Sequence, residues 1–217
     1  MTNSPTATPP DVIADRLRAG AAILGVPLAP AIASKLIAYL DELVKWNEVH
    51  NLTAVRERPQ MVTQHLLDSL AVLPHLFGRR IIDVGSGAGF PGIPLALLRP
   101  DWQFALLDSS FKKTSFLEHI RDRLHLPNVS VIHGRAEQYR PVELYDVAIA
   151  RAFADLNEFT RCASHLVHAK GRLAAMKGVY PDEEMAAVVP PFFVAEVIRL
   201  QVPELQAHRH LIILERR

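Results

Sequence analysis

Cysteine is almost missing from the chain: Cys162 stands alone among 217 residues, so no disulfide framework can form. No apolar run approaches the length needed to cross a bilayer, and the opening residues MTNSPTATPPD lack the charged and apolar regions of a secretion signal. These absences predict a soluble, cytoplasmic protein, with residues 1–10, rich in Pro, Thr and Ser, as a disordered tail. Net charge is also scarce, because 24 Lys and Arg face 23 Asp and Glu for a formal +1 at pH 7. No global field draws such a chain onto a polyanion, and any nucleic-acid binding must rest on local clusters. The chain has no internal repeat and no low-complexity region beyond the tail.

What it does have is apolar content, 49% of residues, enough for one α/β domain with a sizeable core and a small appendage. Over residues 11–76 the apolar positions recur at helical spacing, in DVIADRLRAGAAILG, PAIASKLIAYLDELVKWNEVH and ERPQMVTQHLLDSLAVLPHL. That segment reads as an N-terminal helical appendage. From Arg80 onward, short apolar runs at 80–84, 103–107, 129–133, 145–150 and 172–176 alternate with helical patterns near 91–99, 111–124 and 155–168. The alternation predicts a parallel sheet with crossover helices over residues 77–217. The last two runs, FFVAEVIRL and RHLIILER, are separated only by QVPELQAH, too short for a helical crossover, and should pair as an antiparallel hairpin. A mostly parallel seven-stranded sheet finished by such a hairpin is more typical of methyltransferases than of dinucleotide-binding proteins.

The stretch IIDVGSGAGFPGIPLALL carries two overlapping glycine patterns. Gly87-x-Gly89-x-x-Gly92 fits a dinucleotide loop, whereas Asp83-x-Gly85-x-Gly87-x-Gly89 fits a loop that holds S-adenosylmethionine. Asp83 discriminates between them. At the carboxyl end of its strand it is expected to face the ligand crevice, where it would repel a pyrophosphate and attract an ammonium and a sulfonium. Asp108, at the spacing expected of a ribose-binding carboxylate, suits either ligand. The competing structural reading is a glycine turn used for close packing, with Asp108 as a helix cap.

Several blocks then carry a family resemblance. NLTAV, HLLDSL, DVGSGAGFPGIPLA, LLDSSFKKTSFL, GRAEQY, ARAFADL and MKG occur in that order between about Asn51 and Arg209. The chain resembles the bacterial small-subunit ribosomal RNA methyltransferase G family, also called glucose-inhibited division protein B. The resemblance implies a class I, Rossmann-like methyltransferase fold, S-adenosylmethionine as cofactor, and methyl transfer to N7 of a guanine in a decoding-region loop of 16S rRNA. It implies that Gly85 and Phe90 line the cofactor pocket, to which the glycine-loop pattern adds Asp83, Ser86 and Gly87 as expected cofactor-binding residues. It further implies that Ala136 and Glu137 contact the adenine end and that Arg151 sits beside the cofactor. Lys113 departs from the pattern, standing where an arginine is more usual.

N7 of guanine has an exposed lone pair and no proton to lose, so positioning alone should suffice and no general base is required. Arg151 is the candidate positioning group, by a hydrogen bond to guanine O6 or to a phosphate; its alternative is an ion pair with Asp146 or Asp155. Cys162, within FTRCASHLV, reads as a buried structural thiol rather than a nucleophile. VVPPFF lacks the polar first residue of an amino-methylating loop. Lys177 and Glu215 would belong to a ribose-methylating Lys-Asp-Lys-Glu set only if the fourth strand ended in Asp, and it ends at Arg151. His65 and Asp68, one helical turn apart, are expected to orient the appendage over the pocket. Lys112, Lys113, Arg135, Lys177 and Arg209 are expected to converge on the RNA, although each alone could be a solvated surface charge, a reading that for Lys113 stands level. No metal site is expected. The substrate is expected within the small ribosomal subunit, and the protein is expected to act as a monomer.

Overall fold

The computed structural model describes residues 10–151, 153 and 155–217. The expected tail therefore lies outside the described residues except for Pro10, which instead opens the first helix, α1 (Pro10–Ile23). Helix α2 (Pro30–His50) also starts on proline, whose missing N–H is harmless in a first turn, and ends on Asn51 in the left-handed conformation. The third expected helix is subdivided into α3 (Arg58–Met61), a π-helical turn (Val62–Leu67), α4 (Asp68–Leu70) and a 3₁₀ turn (Leu73–His75). Ser69 Oγ donates back to the carbonyl of His65 at 2.5 Å, a side-chain bond that competes with the regular ladder.

The sheet consists of β1 (Arg80–Val84), β2 (Gln103–Asp108), β3 (Val129–His133), β4 (Tyr145–Arg151), β5 (Val167–Lys177), β6 (Phe192–Leu200) and β7 (Arg209–Arg216). Helices α5 (Gly92–Leu98), α6 (Phe111–Leu124) and α7 (Leu156–Ala163) form the crossovers, and a short α8 (Asp182–Ala186) precedes the hairpin. Strand order is β3-β2-β1-β4-β5-β7-β6. Strands β1 to β5 run parallel, while β7 lies antiparallel between β5 and β6, so the expected C-terminal hairpin forms. The order reverses between β1 and β4, which opens a crevice at their carboxyl ends.

Two features differ from expectation. Helix α7 stops at Ala163, and β5 begins at Val167 rather than at 172. Val167 pairs with Tyr145, and the register then shifts before Val147 pairs with Arg172. Gly171 makes the irregularity possible, because a Cβ there would lie 2.8 Å from Val167 Cβ and 3.1 Å from the carbonyl oxygen of Asp146. A helical apolar pattern continuing through residue 168 hides that bulge. Helix α8 was not anticipated either.

Core residues alternate along β1 between the two faces of the sheet. Ile81 joins the cluster that includes Leu36 and Leu40 of α2, Ile93 of α5 and Phe116 of α6, whereas Ile82 and Val84 join Leu156 and Phe159 of α7. The N-terminal helices thus share one continuous apolar cluster with α5 and α6, and each such buried side chain contributes roughly 1.5–3 kcal/mol. Among the described residues, no helix is long and apolar enough to cross a membrane.

Gly92 marks the tightest helix-to-strand approach: a Cβ there would overlap Leu106 and lie 2.9 Å from Asp83 Oδ2. Gly92→Ala is expected to destabilise the protein by about 1–3 kcal/mol through overpacking. Thermal unfolding checks this against Gly134→Ala, where a Cβ meets nothing within 4 Å and Tm should not move.

Candidate active site

Strand β1 runs into Gly85, Gly87 and Gly89, with φ of +69°, +60° and +98°, a region that glycine enters without steric cost. The added Cβ test separates their roles. At Gly85 it meets nothing within 4 Å, leaving the backbone open to a ligand, whereas at Gly89 it would lie 2.7 Å from Ile93 Cγ1 and 2.9 Å from Leu117. The loop's polar groups are satisfied from several sides. Leu107 O accepts from the amides of Gly85 at 2.8 Å and Ser86 at 3.1 Å, and Asp108 Oδ2 accepts from that of Gly87 at 2.9 Å. From α2, the buried Tyr39 hydroxyl donates to the carbonyl of Ala88, and burial raises its pKa well above the usual phenol range.

Beside the loop lies a crevice of about 290 Å³ lined by Gly85, Asp108, Lys113, Arg135, Ala136, Glu137, Phe153, Glu158 and Cys162, among others. Of the expected cofactor residues, Gly85, Asp108, Ala136 and Glu137 line it, and Gly87 reaches it through its bond to Asp108. Asp108 holds both sides of the crevice, because its Oδ1 accepts the Ser110 amide at 2.9 Å while Oδ2 faces Lys113 Nζ at 3.6 Å. Glu137 is kept ionised by its own amide and by the Cys162 thiol, whose sulfur donates to Oε1 at 3.2 Å. Burial first, and then Glu137, pushes that thiol up to about 11, so Cys162 is not a thiolate at neutral pH.

Ser86 and Phe90 are buried behind the loop, at 2% and 1% exposure, and their side chains are not part of the crevice lining. The expectation for Asp83 needs correction. Pleating directs it to the α2 and α5 side of the sheet, where it is fully buried and its Oδ2 accepts the Gly92 amide at 2.8 Å. Its Oδ1 has no hydrogen-bond partner among the described residues. It does not face the crevice, yet it still opposes a pyrophosphate, because it occupies the first amide of α5, the donor such a group would need. A crevice edged by Asp108, Glu137 and Glu158, with an open glycine backbone, fits a cationic nucleoside such as S-adenosylmethionine.

A second cavity, of about 500 Å³, adjoins the crevice and shares Phe153 with it. Its lining includes Gln64, His65, Asp68, Arg151, Met176, Lys177 and Arg209. Arg151 ends β4, and its guanidinium carbon lies 5.0 Å above the Phe90 ring, which His65 also stacks against at 4.5 Å. Nη1 makes its contacts with Gln64 O at 3.3 Å, His65 Nδ1 at 3.3 Å and Asp68 Oδ2 at 3.7 Å. Its ion-pair partner is Asp68, neither Asp146 nor Asp155: the former accepts from the Arg79 and Arg80 amides, and the latter caps α7. His65 and Asp68 therefore converge on Arg151. Burial, with Arg151 beside it, lowers the His65 pKa to about 4, so the ring is neutral, and its Nε2 lies 2.8 Å from Thr53 Oγ1.

The five basic residues do not converge on one surface. Lys113 and Arg135 edge the crevice, Lys112 is exposed on α6, and Lys177 and Arg209 belong to the second cavity. Lys177 is mostly buried, with Nζ 2.7 Å from Glu184 Oε2 and 3.0 Å from Phe153 O; Arg209 Nε bonds Asp68 Oδ1 at 2.9 Å. Both are structural cations as they stand. Glu215 pairs with Arg172 at 2.6 Å, far along β7 from His210, the residue opposite Lys177, so the ribose-methylating set does not assemble. No group of three or more metal-ligating side chains occurs among the described residues. The sequence reading missed Tyr39, Gln64, Phe153 and Glu184, which no periodicity or spacing marks.

Strand order, hairpin and glycine crevice together define a class I methyltransferase fold. Solved structures agree on the fold: TrmN from Thermus thermophilus superposes with a TM-score of 0.56 at 18% identity, covering 72% of this chain and 53% of that one. A SAM-dependent methyltransferase from Geobacter sulfurreducens, in complex with S-adenosylhomocysteine, gives 0.53 at 14% identity, covering 82% and 98%. The family described as rRNA small subunit methyltransferase G matches residues 32–212. Curated relatives of that name from Laribacter hongkongensis and Nitrosospira multiformis are 50% and 48% identical, over 92% and 94% of this chain and 97% of each relative. The chain belongs to the rRNA small subunit methyltransferase G family.

Asp83 keeps its proton to about pH 7 in the fold, because burial outweighs the Gly92 bond, but releases it near 3.8 when unfolded. The folded state binds the extra proton between those values, so this group's stabilisation is lost as pH rises from about 4 to 7. His65 acts in the opposite direction over an overlapping range, its contribution being lost as pH falls from 6.5 to about 4. The two mask each other in the parent protein. Asp83→Asn is therefore expected to gain Tm relative to the parent progressively between about pH 4 and 7. A Tm difference independent of pH in differential scanning calorimetry would refute the buried proton.

Proposed function

We propose that this protein transfers the methyl group of S-adenosylmethionine to N7 of a guanine in 16S rRNA, acting as a cytoplasmic monomer on the small ribosomal subunit. The observation that carries the reading is the meeting of two cavities at Phe153, one edged by carboxylates and the other presenting Arg151. Family membership, and the S-adenosylhomocysteine held by a structural neighbour, support it. Gly85, Asp108, Ala136 and Glu137 would hold the cofactor, which when bound supplies an electrophilic methyl on a sulfonium. The target base would lie in the second cavity.

Contacts of Arg151 with Gln64, His65 and Asp68 run through Nη1, which leaves Nε and Nη2 without a described partner. Those donors suit guanine O6, on the same edge as N7, while N7 itself stays open to the methyl. Phe90 beneath and His65 alongside fix the guanidinium plane, so orientation rather than proton transfer is the protein's contribution. A neutral, buried His65 and a protonated Cys162 thiol agree with a reaction that needs neither base nor nucleophile.

Small subunits from cells lacking this activity, incubated with labelled S-adenosylmethionine and digested to nucleosides, are expected to carry label in 7-methylguanosine; label in any other nucleoside rejects the proposal. Arg151→Ala is expected to lower kcat by about 10- to 100-fold, the weight of one charge-assisted hydrogen bond. Cofactor affinity measured by calorimetry should remain within about threefold, less than the effect of a lost charged bond. Undiminished transfer would remove Arg151 from the mechanism.

A further inference from the structure

Beyond Gly178 lies a third cavity, of about 770 Å³, that the methyl transfer leaves unused. It runs along the C-terminal hairpin and is lined by Tyr180, Val197, Arg199, His208, Arg209 and His210, together with Gly178, Val179 and Ala207. Its lining holds two arginines and two histidines but no carboxylate, whereas the cofactor crevice carries three carboxylates, Asp108, Glu137 and Glu158, beside Lys113 and Arg135. Apolar surface is exposed at its edge, with Val179 at 83% and Tyr180 at 44%. Tyr180 meets His210 edge to face, with ring centroids 5.2 Å apart at 89°. Arg199 Nη2 lies 3.3 Å from His208 Nδ1.

His210 supplies an independent sign of a ligand. It is 7% exposed, and its Nδ1 is buried with no hydrogen-bond partner among the described residues. A buried polar atom left in that condition is penalised, so a partner that arrives with a ligand would be rewarded. The cavity also adjoins the site described above, since Gly178 and Arg209 line both.

We propose that this cavity seats a nucleotide neighbouring the target guanine in the RNA strand, its base on Tyr180 and Val179 and its phosphate on Arg199 and His208. The inference rests on the RNA reading above and adds to it a second subsite. Unpaired bases are typically held by aromatic faces and guanidinium planes, with cations tracking the backbone, and this cavity provides both beside the acceptor site. A protein segment would use the apolar rim but would have no need of Arg199, which stands against His208 in a lining that holds no acidic side chain.

The test is methylation kinetics on small ribosomal subunits lacking the modification, with Tyr180→Ala and Arg199→Ala. Both side chains are exposed, so the variants should keep the parental Tm and cofactor affinity. Each is expected to raise KM for the subunit by about fivefold or more with kcat retained, as loss of a stacked base or a phosphate contact does. Tyr180→Phe should restore the parental KM. Arg199→Ala should lower the slope of log KM against log salt by about 0.7, the signature of one phosphate on a single strand. Parental KM in both alanine variants overturns the subsite, whether the cavity then docks a protein or nothing. An unchanged salt slope for Arg199→Ala overturns its phosphate contact. A parent enzyme that methylates no rRNA at all overturns the functional reading instead, which separates the two failures.

Discussion

A backbone amide of the glycine loop, that of Gly87, ends on the carboxylate of Asp108 at the tip of the neighbouring strand, and the shape of the crevice depends on that bond. Backbone amides require partners, and while Ser86 O accepts those of Gly89 and Phe90 within the loop, those of Gly85, Ser86 and Gly87 find theirs on the neighbouring strand. Asp108 answers from β2 and Asp83 from β1, the latter taking the first amide of α5. Occupying both donors with side-chain carboxyl oxygens leaves the loop open in shape but without those amides to offer a phosphate. The crevice is thereby suited to a nucleoside that is cationic rather than polyanionic.

The helices before β1 are part of that arrangement. Tyr39 of α2 fills the space that Gly89 leaves free and donates to Ala88, so the loop rests on a ring from the N-terminal segment. Further along, Asn47 exchanges two hydrogen bonds with the backbone of Thr53, at 3.0 and 2.9 Å, and Thr53 in turn holds His65. His65 and Asp68 then meet Arg151 from the irregular helical turn. A π-helical turn presents adjacent residues at an angle a regular helix does not, which is why such turns recur where side chains must converge.

On the other side, Lys177 closes the junction between the two cavities. It donates to Phe153 O and pairs with Glu184, which also accepts the Leu156 amide at the start of α7. A lysine that in sequence looks like a surface cation is thus a buried brace for the ring common to both cavities. Arg209 plays a comparable part from β7, held by Asp68, which lies 141 residues earlier in the chain.

Much of this molecule was legible in one dimension, because strand alternation, helical period and glycine spacing are local properties that burial reads directly. They delimit most helices and strands to within a few residues, identify the C-terminal hairpin and single out Gly85 and Asp108; Ala136 and Glu137 came only through the family resemblance, and all four line one crevice. The bulge at Gly171 was hidden because its cause is a contact with Asp146 on another strand. Partners of charged side chains were equally out of reach. Asp83 turned beneath α5, Arg151 found Asp68, and Lys177 found Glu184, since the face a side chain takes and the opposite charge it meets depend on pleat, crossing angle and elements distant in the chain. Sequence alone determined the fold and the chemistry of the loop; tertiary structure decided which charges remain available to a ligand, because only packing sets which pairs come within a few ångströms.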